Sequence, residues 1–458
     1  MAEHTVMMKE TLLALLNSKK YLSLRDILAT MNPVDIAAIF DDLEEDRLPL
    51  LFRLLPKELA SETFVEMDPE AQELLIRGFS DSELKEVIDE LYVDDAVDIV
   101  EEMPANVVRR ILGQADPEMR KQINEILRYP EDSAGSIMTT ECVTLRPDMT
   151  VEEAIKRIRR TGIDKETIYT CYVTEDRKLL GLTTVKDLLL CEDDEEVISE
   201  IMEENVISVN TLEDKEDVAQ LFSKYDFLAL PVVDAENRLV GIVTFDDAMD
   251  VIEEEVTEDM EKMAAMLPSE KPYMRLSTFE VFKNRIPWLM LLMVSATFTG
   301  MILNYFENAL AKQIVLTSFI PMLMDTAGNS GSQTSVTIVR GLSIGEIALR
   351  DLPRILWKEC RVAILCGVVL AATAFLKIFL VDNMLLGEEG ITLGVMMTVC
   401  ITLAITVLCA KLVGGTLPIV AERLGFDPAV MASPFITTIV DAIALLVYFQ
   451  IASLLLNL

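Results

Sequence analysis

The sequence predicts a multidomain membrane protein. Its parts are an all-α N-terminal helical solenoid, an α+β domain built as a tandem pair, a connecting helix and a five-helix transmembrane domain. Three observations carry this expectation. The net charge of −36 is confined to one half: from Ile286 onward 9 Lys/Arg face 11 Asp/Glu, a net of −2, which leaves −34 for residues 1–285. The later half contains apolar runs long enough to cross about 30 Å of hydrocarbon. Within residues 137–252 the text repeats itself 60 residues on. A chain of 458 residues has room for about three domains.

Residues 1–130 read as helices throughout. The segments PVDIAAIFDDL, KELASETFVEM and DDAVDIVEEM place apolar residues at i, i+3 and i+4 with acids between them. Pro33, Pro56, Pro69, Pro104 and Pro117 punctuate helix starts. A solenoid of short helices follows, with no catalytic constellation in it.

The repeat occupies 131–195 and 196–252. IMTTECVTLRPDMTVEEAIKRIRR matches IMEENVISVNTLEDKEDVAQLFSK, and KLLGLTTVKDLL matches RLVGIVTFDDAM, with Gly181/Gly241 and Asp187/Asp247 equivalent. Each copy reads strand, helix, strand, turn, strand, helix. The pair resembles tandem CBS domains over both copies. In that family a Thr/Ser-x-x-Asp before the last helix binds the ribose of an adenine nucleotide, which Thr184/Asp187 and Thr244/Asp247 match. A hydroxyl and an acid at that spacing also cap a helix, so both readings stand.

Residues 253–280 connect the halves. In VIEEEVTEDMEKMAAML, helical spacing gathers Ile252, Val256, Met260, Met263 and Leu267 on one stripe. Glu255, Glu258 and Asp259 form an i, i+3, i+4 cluster of like charge, unfavourable in an isolated helix. It is a solvated face, or it is a place that divalent cations neutralise in one state and leave repelling in another. Lys262 is the one base close enough to relieve it.

Residues 281–458 carry five spans: one from Ile286 to Phe306, then roughly 313–340, 355–380, 391–417 and 429–457. Lys283 and Arg285 precede the first. Arg340, Arg350, Arg354, Lys358 and Arg361 crowd the second loop, and Lys411 and Arg423 flank the fourth. The loop after span three is acidic (Asp382, Glu388, Glu389). The bias of Lys and Arg puts residues 1–285 in the cytosol and the C-terminus outside, in a cell membrane. Asp441 sits deep in span five with no Lys or Arg near it in that span, and a lone carboxylate there needs a partner or a watered path. Asp325 lies in span two among Gly, Ser, Thr and Asn, residues that serve close packing or a hydrated ion. Pro321 and Pro434 are placed to break their spans and free carbonyls.

Several function classes are excluded. With His4 the one histidine, Ser-His-Asp triads, HExxH sites and an intramembrane metalloprotease lack their ligands. The seven cysteines form no CxxC pair and read as reduced. The acidic balance argues against nucleic acid as a partner. The N-terminus is too acidic and polar for a cleaved signal peptide.

The order of parts resembles the MgtE family of magnesium transporters over the whole chain. Pro321 with Gly328-Asn329-Ser330-Gly331-Ser332-Gln333 is similar to the family's P-x(6)-GNxG(N/S)Q, with Ser332 the Ser variant, and LGFDPAVMASPFITTIVDA is close to its last-span pattern. The resemblance implies a homodimer in the lipid bilayer, with a pore between subunits lined by spans two and five, and no enzyme. It implies that Asp441 holds the permeating Mg²⁺, that Asp427 meets the gate, and that Asn329 and Asp325 lie at the pore. It implies cytosolic Mg²⁺ sensing at Asp226, Asp247, Asp250, Glu255, Glu258 and Asp259, with Asp94 and Asp95 facing the CBS pair. ATP is a possible second ligand at Tyr169, Asp187 and Phe227; Lys186 stands where some members have Arg. Mg²⁺ prefers octahedral oxygen ligands and sheds water reluctantly, so one carboxylate per subunit could hold it largely hydrated. The cytosolic acids repel when Mg²⁺ is scarce and are bridged when it is abundant, which closes the pore. The alternatives are a CBS-regulated carrier of Mn²⁺ or Co²⁺, or a non-conducting sensor with a membrane anchor.

Overall fold

The computed structural model describes every residue except 1, 42, 45, 270, 272, 388, 389, 457 and 458. It divides into two compact units, Met1–Ile252 and Glu253–Leu458.

The first unit begins with ten helices, from Ala2–Asn17 to Pro117–Ile126. Their starts are written locally. Pro33, Pro69 and Pro117 open their helices, where the missing N–H costs nothing, and Asn32 and Asp116 cap two of them. Alternate helices stack, Pro33–Phe40 on Lys57–Val65, then Asp81–Ile88, then Ala105–Gln114. That is the solenoid the periodicity predicts. Phe52, Phe64 and Phe79 meet in its core with ring centroids 5.4–6.4 Å apart.

The repeat folds as two three-stranded sheets. In the first, β1 (Val143–Leu145) pairs parallel with β2 (Thr170–Glu175), and β2 antiparallel with β3 (Lys178–Thr184). In the second, β4 (Val209–Asn210), β5 (Ala229–Val233) and β6 (Leu239–Thr244) repeat that order. Both carry a bulge at the equivalent place, Val173/Thr174 and Val232/Val233. The copies interlock. Ile242 exchanges both backbone hydrogen bonds with Thr139, and Leu182 with Glu203. The repeated glycines sit at those crossings: a Cβ on Gly181 would lie 2.8 Å from the Glu203 carbonyl, and one on Gly241 would strike that of Thr139.

The helix Phe245–Met263 begins before the predicted connecting segment and ends before Leu267, which therefore falls off the apolar stripe. Five long helices follow, Thr278–Tyr305, Ile320–Ser343, Leu352–Lys377, Leu393–Arg423 and Ser433–Leu456. Among the described residues, four helical stretches are long and apolar enough to cross a membrane; Ile320–Ser343 is not one of them, because its polar residues dilute it. The third helix continues through a π-helical stretch, Ile378–Leu385.

Four expectations are corrected here. Pro321 and Pro434 break nothing; each stands in the first turn of its helix. Lys411 is not at a loop but buried within Leu393–Arg423, 3.7 Å from Glu359. Asp382 belongs to the π-helical stretch, buried, with Lys377 Nζ 2.8 Å from its Oδ2. Glu388 and Glu389, the rest of that acidic loop, lie outside the described residues.

Candidate cation sites

The first unit concentrates carboxylates where its three parts meet. Helix Val93–Glu102 contributes Asp94, Asp95 and Asp98, at a spacing that keeps Asp94 and Asp98 on one side. Glu141 and Glu166 come from the first sheet's flank, tied together by a hydrogen bond from the Glu166 amide to the Glu141 carbonyl. Asp246 and Asp247 open the helix after β6. The Val93 amide donates to Glu141 Oε2 at 3.2 Å, which joins the solenoid to the first copy. Asp94, Glu141 and Glu166 bring carboxylate oxygens within 4.8 Å of one another. Glu166 Oε2 is buried without a hydrogen-bond partner.

Lost hydration and mutual repulsion make protons bind tightly here. Burial, then Asp95, push Asp94 up to about 7. Burial, then Asp247, raise Asp95 to about 7 and Asp98 to about 8. Burial, then Asp94, raise Glu166 to about 8 and Asp247 to about 7. Such a cluster binds either protons or a multivalent cation.

Other expected sensing residues are dispersed. Asp250 is exposed, with Glu66 as an electrostatic neighbour. Asp226 ends helix Lys215–Tyr225 in the left-handed conformation, φ 56°, and is exposed; a capping role accounts for it locally.

In the second unit, Lys262 stands between Glu258 and Asp427, Nζ 2.6 Å from an oxygen of each. Asp427 also caps the turn Pro428–Met431, accepting the Ala429 amide at 2.7 Å. Burial raises the Asp259 carboxyl, partly offset by a hydrogen bond with Ser343. Glu255 is half-buried on the same helix.

Among the long helices, Ile320–Ser343 packs against both Leu393–Arg423 and Ser433–Leu456. The approach is close because glycines line it. A Cβ on Gly328 would meet Thr437 at 2.9 Å, one on Gly331 would meet Ile436 at 2.9 Å, and one on Gly414 would strike the Gly331 carbonyl. That contact turns Asp325, Asn329 and Gln333, four residues apart, to the exposed side. Asp441 is half-buried; its Oδ1 is buried with no hydrogen-bond partner, and Asp325 is its charged neighbour.

At the edge of the first sheet, the Val185 amide donates to the Tyr169 carbonyl, bringing Tyr169 beside the Thr184–Asp187 pair. The Tyr169 ring is 67% exposed. Thr184 and Asp187 form a reciprocal cap, with the Thr184 hydroxyl donating to Asp187 Oδ2. An open aromatic face, a carboxylate and a nearby Lys186 suit a base, a ribose and a phosphate. Phe227 belongs instead to the second copy, in the connection between helix Lys215–Tyr225 and β5, its ring stacked on Tyr225 at 5.3 Å.

Sequence reasoning missed Asp98, Glu141 and Glu166. Asp98 had a usable signal in its i+4 relation to Asp94. Glu141 and Glu166 had none, since they lie 25 residues from each other and at least 43 from the other acids of the cluster.

Residues 320–451 match the family model of MgtE, a divalent cation transporter; 31–132 match the MgtE intracellular N domain; 134–192 and 198–254 match the CBS domain. The chain is 36% identical over 440 residues to a magnesium transporter MgtE of Thermus thermophilus, covering 95% of each. It is 32% identical over 444 residues to one of Bacillus subtilis, covering 96% of each. Its structure is similar to the cytosolic domain of the Mg²⁺ channel MgtE in complex with ATP, with TM-score 0.51 and 38% identity over 53% of this chain and 99% of that one. It is also similar to the soluble part of a magnesium transporter, with TM-score 0.51 and 31% identity over 55% of this chain and 99% of that one.

Proposed function

The chain belongs to the MgtE family of magnesium transporters, and from that premise we propose that it passes Mg²⁺ along a path through Asp441, Asp325 and Asn329, closed when Mg²⁺ occupies its cytosolic acids. It is a membrane transporter with cytosolic N-terminal domains, and not an enzyme. The observation that carries the path is Asp441: a carboxylate oxygen buried in an apolar helix with no hydrogen-bond partner. Such a group is costly unless a cation or water meets it.

The exposed row of Asp325, Asn329 and Gln333 supports a homodimer. Polar side chains on the outside of a membrane helix need a second protein surface or a watered pore, and a twofold pair supplies both. A C-terminus outside the cell membrane accords with Arg350 between the second and third long helices and with Arg340, Arg354, Lys358 and Arg361 in the helix ends that flank it, a bias that stands without Lys411.

Sensing falls to two groups. Asp94, Asp95, Asp98, Glu141, Glu166 and Asp247 hold cations within the first unit, with Asp226 and Asp250 at its surface. Glu255, Glu258, Asp259 and Asp427 do so in the second. Mg²⁺ binding there favours the closed state by its differential affinity for the two states. ATP binds at Tyr169 and Asp187, a reading supported by the exposed ring beside the Thr184–Asp187 pair and by the ATP complex of the similar cytosolic domain.

The test is Mg²⁺ influx into proteoliposomes carrying the full chain. Asp441→Asn lowers the initial rate at least about tenfold at equal incorporation; wild-type influx through it overturns the path. Competition by Mn²⁺ and Co²⁺ in the same assay decides between Mg²⁺ and the alternative cargoes.

A further inference from the structure

We propose that Thr334, Glu359 and Lys411 form a positioning node that fixes the rotation of helix Ile320–Ser343, and so the aim of Asn329 and Gln333 into the cation path. The inference rests on the reading of that helix as path-lining.

Lys411 and Glu359 are charged groups deep among apolar helices, with side chains 7% and 16% exposed. Their direct separation is 3.7 Å, long for a pair that must compensate two lost hydration shells. The Thr334 hydroxyl closes the gap. It accepts from Lys411 Nζ at 3.2 Å and donates to Glu359 Oε2 at 3.0 Å. Its proton also has the Ser330 carbonyl of its own helix within 3.4 Å, but the carboxylate is the nearer and the charged acceptor, so the bond to Glu359 is the stronger one. The three residues come from three helices, Ile320–Ser343, Leu352–Lys377 and Leu393–Arg423.

The place in the helix gives the node its effect. Thr334 is buried, while Asn329 and Gln333 are exposed on another face of the same helix. A rotation that swung either toward or away from the path would pull Thr334 off both charges. The packing nearby is close: a Cβ on Gly415 would lie 3.6 Å from Thr334 and 3.8 Å from Glu359. A charged pair is more directional than the glycine contacts beside it, because leaving either charge unpaired in hydrocarbon is strongly unfavourable. Neither charge touches the proposed path, so these are positioning residues.

The test measures Mg²⁺ influx of the full chain in proteoliposomes against Mg²⁺ concentration, for Thr334→Val, Thr334→Ser and Asp441→Asn. Thr334→Val keeps the shape and removes the hydroxyl; Thr334→Ser keeps the hydroxyl. The expected result is a half-saturating Mg²⁺ concentration raised on the order of tenfold in Thr334→Val, corresponding to one lost charged hydrogen bond, and restored in Thr334→Ser. A role in assembly alone would lower the amount of folded protein and leave half-saturation unmoved. If Thr334→Val does not reach the membrane, Glu359→Asp, which withdraws the carboxylate by one methylene, must raise half-saturation in the same way. Wild-type half-saturation in whichever variant folds overturns the node. Asp441→Asn separates the two readings: its normal influx rejects the path itself, whereas its loss beside a normal Thr334→Val rejects the node alone.

Discussion

Lys262 Nζ lies 2.6 Å from Asp427 Oδ2, so a tethered ammonium already occupies the carboxylates that a divalent cation would bridge. Burial disfavours that charge, yet its bonds to Asp427 and Glu258 hold the lysine above its usual range. The helix is therefore pinned to the turn at Asp427 before any Mg²⁺ arrives. Lys262→Met leaves Glu258 and Asp427 facing each other unpaired. The expected loss is about 1–2 kcal/mol for a partly exposed pair. Amide exchange across residues 253–263 should then quicken about tenfold without divalent ions, and slow again at millimolar Mg²⁺. Unchanged exchange in the metal-free variant rejects the tether.

The acid cluster of the first unit gives a pH dependence of definite sign. Asp94, Asp95, Asp98, Glu166 and Asp247 all bind protons more tightly folded than unfolded, near pH 7–8. Stability is therefore greatest below about pH 4, where both states are protonated, and it falls from there until pH passes the folded values of about 7–8, above which it levels off. Without divalent ions, the thermal midpoint of the cytosolic unit should drop by about 5 °C or more between pH 6 and pH 9. Mg²⁺ should abolish most of the drop, because the ion replaces the protons. A midpoint that rises with pH would contradict the assignment.

Neutralising Glu255, Glu258 and Asp259 together removes bridging sites and repulsion at once. Two carboxylates about 4 Å apart at an effective dielectric near 20 repel by about 4 kcal/mol before screening. Other acids still oppose closure, so loss of bridging wins. The triple variant should conduct at cytosolic Mg²⁺ concentrations that close the wild type. Patch recording across a Mg²⁺ titration checks it, and inhibition at the wild-type concentration rejects sensing by this helix.

Gly414→Ala should be severe where most Gly→Ala changes in helices are mild. The new methyl would strike the Gly331 carbonyl, and overpacking of this kind costs about 1–3 kcal/mol. Gly300→Ala meets nothing within 4 Å and should leave stability unchanged. Thermal midpoints of the two variants in detergent decide; equal midpoints would mean the helices part easily.

Much of this was legible in the sequence. The 60-residue repeat announces both sheets, and the equivalent glycines mark where they interlock. The apolar runs place the long helices. What failed to show was pairing at a distance. Lys411 lies 12 residues before Arg423 and looks like a helix end until Glu359, 52 residues earlier, supplies its partner. Asp382 looks like loop for the same reason, because a π-helical turn brings Lys377 to it at i, i+5. The acid cluster draws on residues from 94 to 247, which no periodicity connects. Asp325, Asn329 and Gln333 were visible as polar letters, but their common outward face depended on which side of the helix the glycines took.

The Gly331–Gly414 crossing also constrains motion. Sliding one helix past the other by a turn, about 5.4 Å, would bring Ala410 or Pro418 to the crossing in place of Gly414. Either carries carbon atoms where the Gly331 carbonyl leaves no room. These two helices can swivel about the crossing but cannot ratchet along it, so it is a pivot and not a rail. Opening a passage beside them is then a matter of angle: small tilts at the glycines become large excursions at the helix ends.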